Sequence, residues 1–209
     1  MPKALKERKR ITARIVTKQD IENVLIAIEQ AAEKDEIDEY HRINYRAIVL
    51  FGAFTGQRPL ATIAQLTVGQ FNQAISQDTP VLDIPPECDK IRMQHYCPFH
   101  PQVVDAFRPL LDGRDDDKFI FEQLSFQRWL REHKIHKILL SQCNARFVMG
   151  DLRKFAEQHG DIIQWEHSNR AYILTHGASG VDWRCYKHPL PDSVYDVYMQ
   201  YWGGVRFAV

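Results

Sequence analysis

Residues 150–186 read GDLRKFAEQHGDIIQWEHSNRAYILTHGASGVDWRCY. Leu152, Phe155 and Ala156 recur at helical spacing and predict a helix that ends near Gly160. A second helix is predicted over 162–174. Small residues then break the pattern around His176 and Gly177, and Tyr186 follows ten residues after that His (186 − 176). Three side chains here suit one phosphate. Arg153 offers a planar fork for two oxygens, His176 a neutral-pH proton carrier, and Tyr186 a nucleophilic oxygen.

Outward from this stretch, the N-terminal half reads as helices and one hairpin. Thr17, with Asp20 three residues on, has the form of an N-cap before Ile21, Val24, Leu25, Ile28 and Ala32 at helical spacing. A helix is predicted from Tyr40 to Thr55, stopped by Gly56, and a short one from Leu60 to Leu66. The stretch from Phe71 to Pro86 reads as extended. Ile91 to Phe99 alternates as a return strand, with Lys90 at or near the hairpin. A helix over Pro101 to Leu111 stops at Asp112-Gly113. Residues 119–140 read as an amphipathic helix or helix pair with a basic face. Near the C-terminus, SVYDVYMQYW puts Val194, Val197, Tyr198 and Tyr201 on one face of a tail helix, about 190–202. The expected class is α+β, mostly α-helical, with a small antiparallel hairpin.

The 209 residues suit one domain with an arm. No apolar run approaches the ~20 residues needed to span a bilayer, so no membrane partner is expected. The charged MPKALKERKRITAR lacks the apolar run of a secretory leader. Cys88, Cys97, Cys143 and Cys185 form no CxxC pair and no zinc spacing, which fits reduced thiols in the cytoplasm and calls for no metal or cofactor. The 27 basic and 27 acidic residues cancel, but they are segregated. Lys3, Lys6, Arg8, Lys9, Arg10, Arg14 and Lys18 make one basic stretch. Arg128, Arg131, His133, Lys134, His136, Lys137 and Arg146 make another. Segregation of this kind allows a positive face despite zero net charge.

Five elements, in order, resemble the catalytic domain of the tyrosine recombinases, or phage integrases. Thr55-Gly56-Gln57-Arg58 is similar to the first arginine box. Lys90, in CDKIRMQHYCPFHPQVVDAF, is similar to the hairpin lysine. Gly150-Asp151-Leu152-Arg153 is similar to the second arginine box, Leu174-Thr175-His176-Gly177 to the third box, and Tyr186 to the nucleophile. The resemblance covers about 16–209, with 1–15 as a basic arm or linker. The tail wording resembles integrases of archaeal mobile elements. Such enzymes carry a DNA-binding domain ahead of this one, so the chain resembles a trimmed catalytic fragment or a minimal enzyme. Two positions depart from the pattern. Gly150 stands where the family has His, and Leu60-Ala61-Thr62 follow Arg58 where an acidic residue is usual.

The resemblance implies a site-specific recombinase acting on double-stranded DNA, assembled as a tetramer on paired sites. Arg58 and Arg153 would neutralise the phosphate, His176 would hydrogen-bond it or move a proton, and Lys90 would protonate the leaving 5′-oxygen. Tyr186 would form a 3′-phosphotyrosine without metal. A phenol with a pKa near ~10 needs a cationic pocket or a base to react at neutral pH. Two other activities fit the same residues: a type IB topoisomerase-like relaxing enzyme, and a non-catalytic DNA-binding module. Taken singly, each residue also has a structural reading. Arg58 suits a helix cap, His176 an ordinary turn, and Arg92 could stand in for Lys90. His159 and His167 read as surface residues. Tyr195, Tyr198 and Tyr201 read as packing residues, and so does Cys185. The tail helix suits docking on a neighbouring protomer as well as on its own domain.

Overall fold

The computed structural model describes residues 14–132, 138–176 and 189–208. It is α+β and mostly helical, with a two-stranded antiparallel sheet. Helix α1 (Lys18–Glu33) opens on a capping box in which the Thr17 side chain and the Asp20 carboxylate satisfy each other's backbone N–H groups. Its inward face is Ile21, Val24, Leu25, Ile28 and Ala31, so Ala31 rather than Ala32 ends the stripe.

Helix α2 (Glu39–Thr55) is the centre of the fold. Every residue from Ala47 to Thr55 is buried, the mark of a helix packed on all sides. It lies against α1, α4 (Pro101–Leu111) and α6 (Gly150–Ile162). Phe51 on α2 anchors an aromatic cluster with Phe71, Phe99, Phe107 and Phe121. Gly56 ends α2 at φ +65°, and a Cβ there would collide with Leu174 and Ala156. This turn therefore needs glycine for its backbone and for close packing against Leu174 and Ala156.

Several sequence expectations are corrected. Leu60 to Leu66 holds only a 3₁₀ turn at Ile63–Gln65. Phe71 is not extended: α3 (Val68–Ile75) buries Val68, Phe71 and Ala74 at helical spacing, and the Gln70 side chain accepts from the Thr67 N–H at 2.8 Å. The extended reading missed the start signal at Thr67. The strands are short, β1 (Val81–Ile84) and β2 (His95–Pro98), paired with Leu82 opposite Cys97. A ten-residue connection (85–94) carries Lys90.

Helix α5 (Gln123–Glu132) buries Phe126, Trp129 and Leu130 within the expected 119–140 stretch, of which 133–137 lie outside the described residues. Beyond it, Leu139 bridges Arg146 instead of continuing a helix. Helix α7 is confined to His167–Ile173, because Gln164 at φ +54° turns the chain after α6. Helix α8 (Pro191–Trp202) buries Val194, Tyr198 and Trp202. The Tyr198 hydroxyl donates to the Phe54 carbonyl at 3.0 Å, so the tail helix docks on its own domain. His159 is not a surface residue: its ring stacks on Phe155 at 4.9 Å and faces Trp202. Cys88, Cys97 and Cys143 are free thiols. Among the described residues no helix is long and apolar enough to cross a membrane.

Candidate active site

Arg58 leaves the turn after α2 and Arg153 projects from the first turns of α6, 95 residues apart in sequence (153 − 58). Both reach the short run that ends α7. Arg58 Nη1 donates to Thr175 Oγ1 at 2.6 Å, and Arg153 Nη2 donates to the Leu174 carbonyl at 2.5 Å. Arg153 Nη1 also donates to the Gly56 carbonyl at 2.8 Å, so Arg153 ties the end of α2 to Leu174. His176 follows immediately, with Nε2 3.2 Å from Glu157 Oε1, and Arg153 Nε lies 3.3 Å from that same oxygen. Arg58, Arg153 and His176 thus meet at residues 174–176.

The acidic support for Arg58 comes from Asp89, just before Lys90. Its side chain is fully buried, and Oδ1 accepts from Arg58 Nη1 at 3.0 Å and from Thr175 Oγ1 at 3.2 Å. Oδ2 accepts from the N–H groups of Ile91 and Met93. Nε and Nη2 of Arg58 have no partner among the described residues and remain free to bind an anion. Thr175 sits at φ +51°, a strained conformation for a β-branched residue, held by its two side-chain bonds.

Electrostatics follow from this crowding. The Arg153 side chain is 12% exposed. Burial, and then the Arg58 cation, push its guanidinium down to about 10, so it stays charged at neutral pH. The His176 imidazole is held below its ordinary value by partial burial and Arg153, against the pull of Glu157. Two guanidinium groups this close repel, and a bound anion would relieve both.

Arg58 also borders an open cavity of about 650 Å³. Lys90 lines it from the β1–β2 connection, Arg131 from α5, Arg146 from the bridge segment before α6, and Gly150 from the first residue of α6. Lys90, not Arg92, therefore shares a hollow with Arg58. Gly150 has no atom within 4 Å of where a Cβ would stand. His176 lines a separate hollow of about 340 Å³ with Glu157, Asp161, His167 and Arg170. Among the described residues no cluster of three or more His, Cys, Asp or Glu is placed to hold a metal.

Of the five residues singled out from the sequence, Arg58, Arg153 and His176 converge, and Lys90 joins Arg58 at the cavity. Tyr186 and Cys185 lie outside the described residues, as do 133–137 of the second basic stretch. The sequence reading missed Asp89, Thr175 and Glu157. Glu157 was legible as the i+4 partner of Arg153 on one helix. Asp89 reaches Arg58 only through the fold. Comparison with protein-family models, curated proteins and solved structures finds no match to this chain.

Proposed function

We propose that this chain is a DNA strand transferase with the catalytic-domain fold of the tyrosine recombinases, integrating or excising a mobile element. The observation that carries the proposal is the meeting of Arg58, Arg153 and His176 at residues 174–176. A phosphodiester needs positive charge fixed over its non-bridging oxygens before a nucleophile can approach. Arg58 presents its free N–H groups, and Arg153, largely desolvated, adds a second cation whose field is little screened by water. His176 donates to a phosphate oxygen or moves a proton.

In the proposed reaction the Tyr186 oxygen forms a bond to phosphorus and the bond to the 5′-oxygen breaks. The phenolic proton leaves to a base, and Lys90 protonates the departing 5′-oxygen. Attack by a 5′-hydroxyl reverses these changes and reseals a strand. Recombination between two duplexes further requires assembly as a tetramer.

The test is a nicked suicide duplex carrying the element's junction sequence. Wild type is expected to accumulate a covalent protein–DNA adduct that resists denaturation. Tyr186→Phe should abolish the adduct while retaining DNA binding. An adduct that persists in Tyr186→Phe refutes the nucleophile. Binding with no adduct from wild type at any pH refutes the activity. Plasmid relaxation without sequence preference would instead favour a swivelling topoisomerase.

A further inference from the structure

The cavity beside Arg58 is larger than contact with one phosphate requires. Its walls are mainly apolar, from Pro59, Leu60, Leu130, Phe147 and Met149. Its cations, Arg58, Lys90, Arg131 and Arg146, come from four separate segments, and no carboxylate stands among its described lining residues. Leu60 and Val148 at the edge are 66% and 51% exposed, an apolar surface left open to solvent. At about 650 Å³ the cavity falls within the roughly 300–1,000 Å³ range of small-ligand pockets.

This lining suits a ligand with an apolar body and separated anionic groups. A nucleotide within a strand is such a ligand, because its base is the apolar body and the phosphates on both sides meet the cations. A paired base cannot enter, since its faces are covered in the stack. We infer that this cavity is a subsite for the base of one unpaired DNA nucleotide next to the phosphate held by Arg58. The inference rests on the DNA reading above and adds a preference that reading does not require. Extruding a paired base sacrifices its pairing and stacking, whereas a bulged base is already free.

The experiment is fluorescence anisotropy with three duplexes of one sequence: fully paired, with a single extrahelical adenine, and with an abasic residue in place of that adenine. Wild type is expected to bind the adenine bulge about tenfold more tightly than the paired duplex, in line with one base packed against protein. The abasic bulge, equally flexible but lacking a base, should bind like the paired duplex. Leu60→Trp and Val148→Trp narrow the exposed edge of the cavity without touching the core. Both should erase the preference and leave paired-duplex binding within about twofold. Equal affinity for all three duplexes overturns the inference and leaves the DNA reading standing. A preference shared by the abasic bulge, or kept in both variants, reflects flexible DNA and also overturns it. Failure to bind any duplex at low salt removes the DNA reading and the inference with it.

Discussion

Replacing Asp89 with Asn tests whether Arg58 is held by charge. The carboxylate accepts four hydrogen bonds: two on Oδ1 from Arg58 and Thr175, and two on Oδ2 from backbone N–H groups. An amide has one oxygen, so in either orientation its NH₂ faces two donors. Breaking a fully buried ion pair costs about 3–5 kcal/mol. The Arg58 side chain is 20% exposed, so part of the lost interaction is replaced by water. The expected loss is therefore about 2–3 kcal/mol, a large share of a typical 5–15 kcal/mol total. For a chain of this size that is a fall in melting temperature of roughly 4–12 °C. Urea unfolding followed by tryptophan fluorescence should show a lower midpoint with an unchanged slope. The exposed Asp83→Asn is the control. Because Asn leaves Arg58 without its carboxylate while Arg153 keeps only Glu157, sulfate at matched ionic strength should stabilise Asp89→Asn more than wild type. A loss under about 1 kcal/mol, or equal sulfate effects in the two proteins, would refute the argument that Asp89 balances Arg58 and Arg153.

The His176 midpoint, followed by NMR, should lie below the ordinary value, rise in Arg153→Gln and fall further in Glu157→Gln; an upward shift in wild type refutes the assigned causes. His100 is pushed down to about 4 by burial and Arg206, and its ring stacks on Phe54 at 4.1 Å. Its depressed value means that its stabilisation is complete above the unfolded value near 6.5 and is lost as pH falls towards 4. The urea midpoint should drop through that window, and less steeply in His100→Asn, which keeps a capping side chain for α4. Gly56→Ala combines a left-handed backbone with overpacking against Leu174 and Ala156, and should cost about 3 kcal/mol by urea unfolding. Gly150→His has room and a helical position, so it should fold normally. If proton transfer limits cleavage, it should raise the adduct rate on the suicide duplex, and an unchanged rate refutes that limitation.

Local signals made much of the fold legible. The cap at Thr17, the stop at Gly56 and the helix after His100 depend on near neighbours, and the sequence reading placed all three. The errors share one cause. Alternation makes Phe71 extended and an amphipathic pattern carries a helix to Leu139, but what decides both is packing: Phe71 on Phe99 and Phe107, and the bridge of Leu139 to Arg146. The site divides in the same way. Its arginines and histidine stood in recognisable runs. Asp89 carries no local mark, because its role exists only once the β1–β2 connection is laid against the end of α7. The hollow shared by Lys90, Arg131 and Arg146 likewise joins segments that no window of sequence contains.

The two departures from the recombinase pattern have different physical weight. A carboxylate three residues after an arginine matters for where its charge sits, not for its place in the chain. Asp89 supplies that charge from the hairpin connection and binds Thr175 as well, so it fixes Arg58 and the residue before His176 together. Arg58 therefore has carboxylate support, from Asp89. Gly150 differs, because among the described residues nothing lies within 4 Å of where its Cβ would stand. Under the proposed reading, glycine at this position leaves the phosphate-binding charge untouched but offers no route for the phenolic proton. The arrangement therefore predicts separate fates for binding and chemistry. Anion binding should depend on Arg58, Arg153 and Asp89, while the pH dependence of any cleavage should follow His176.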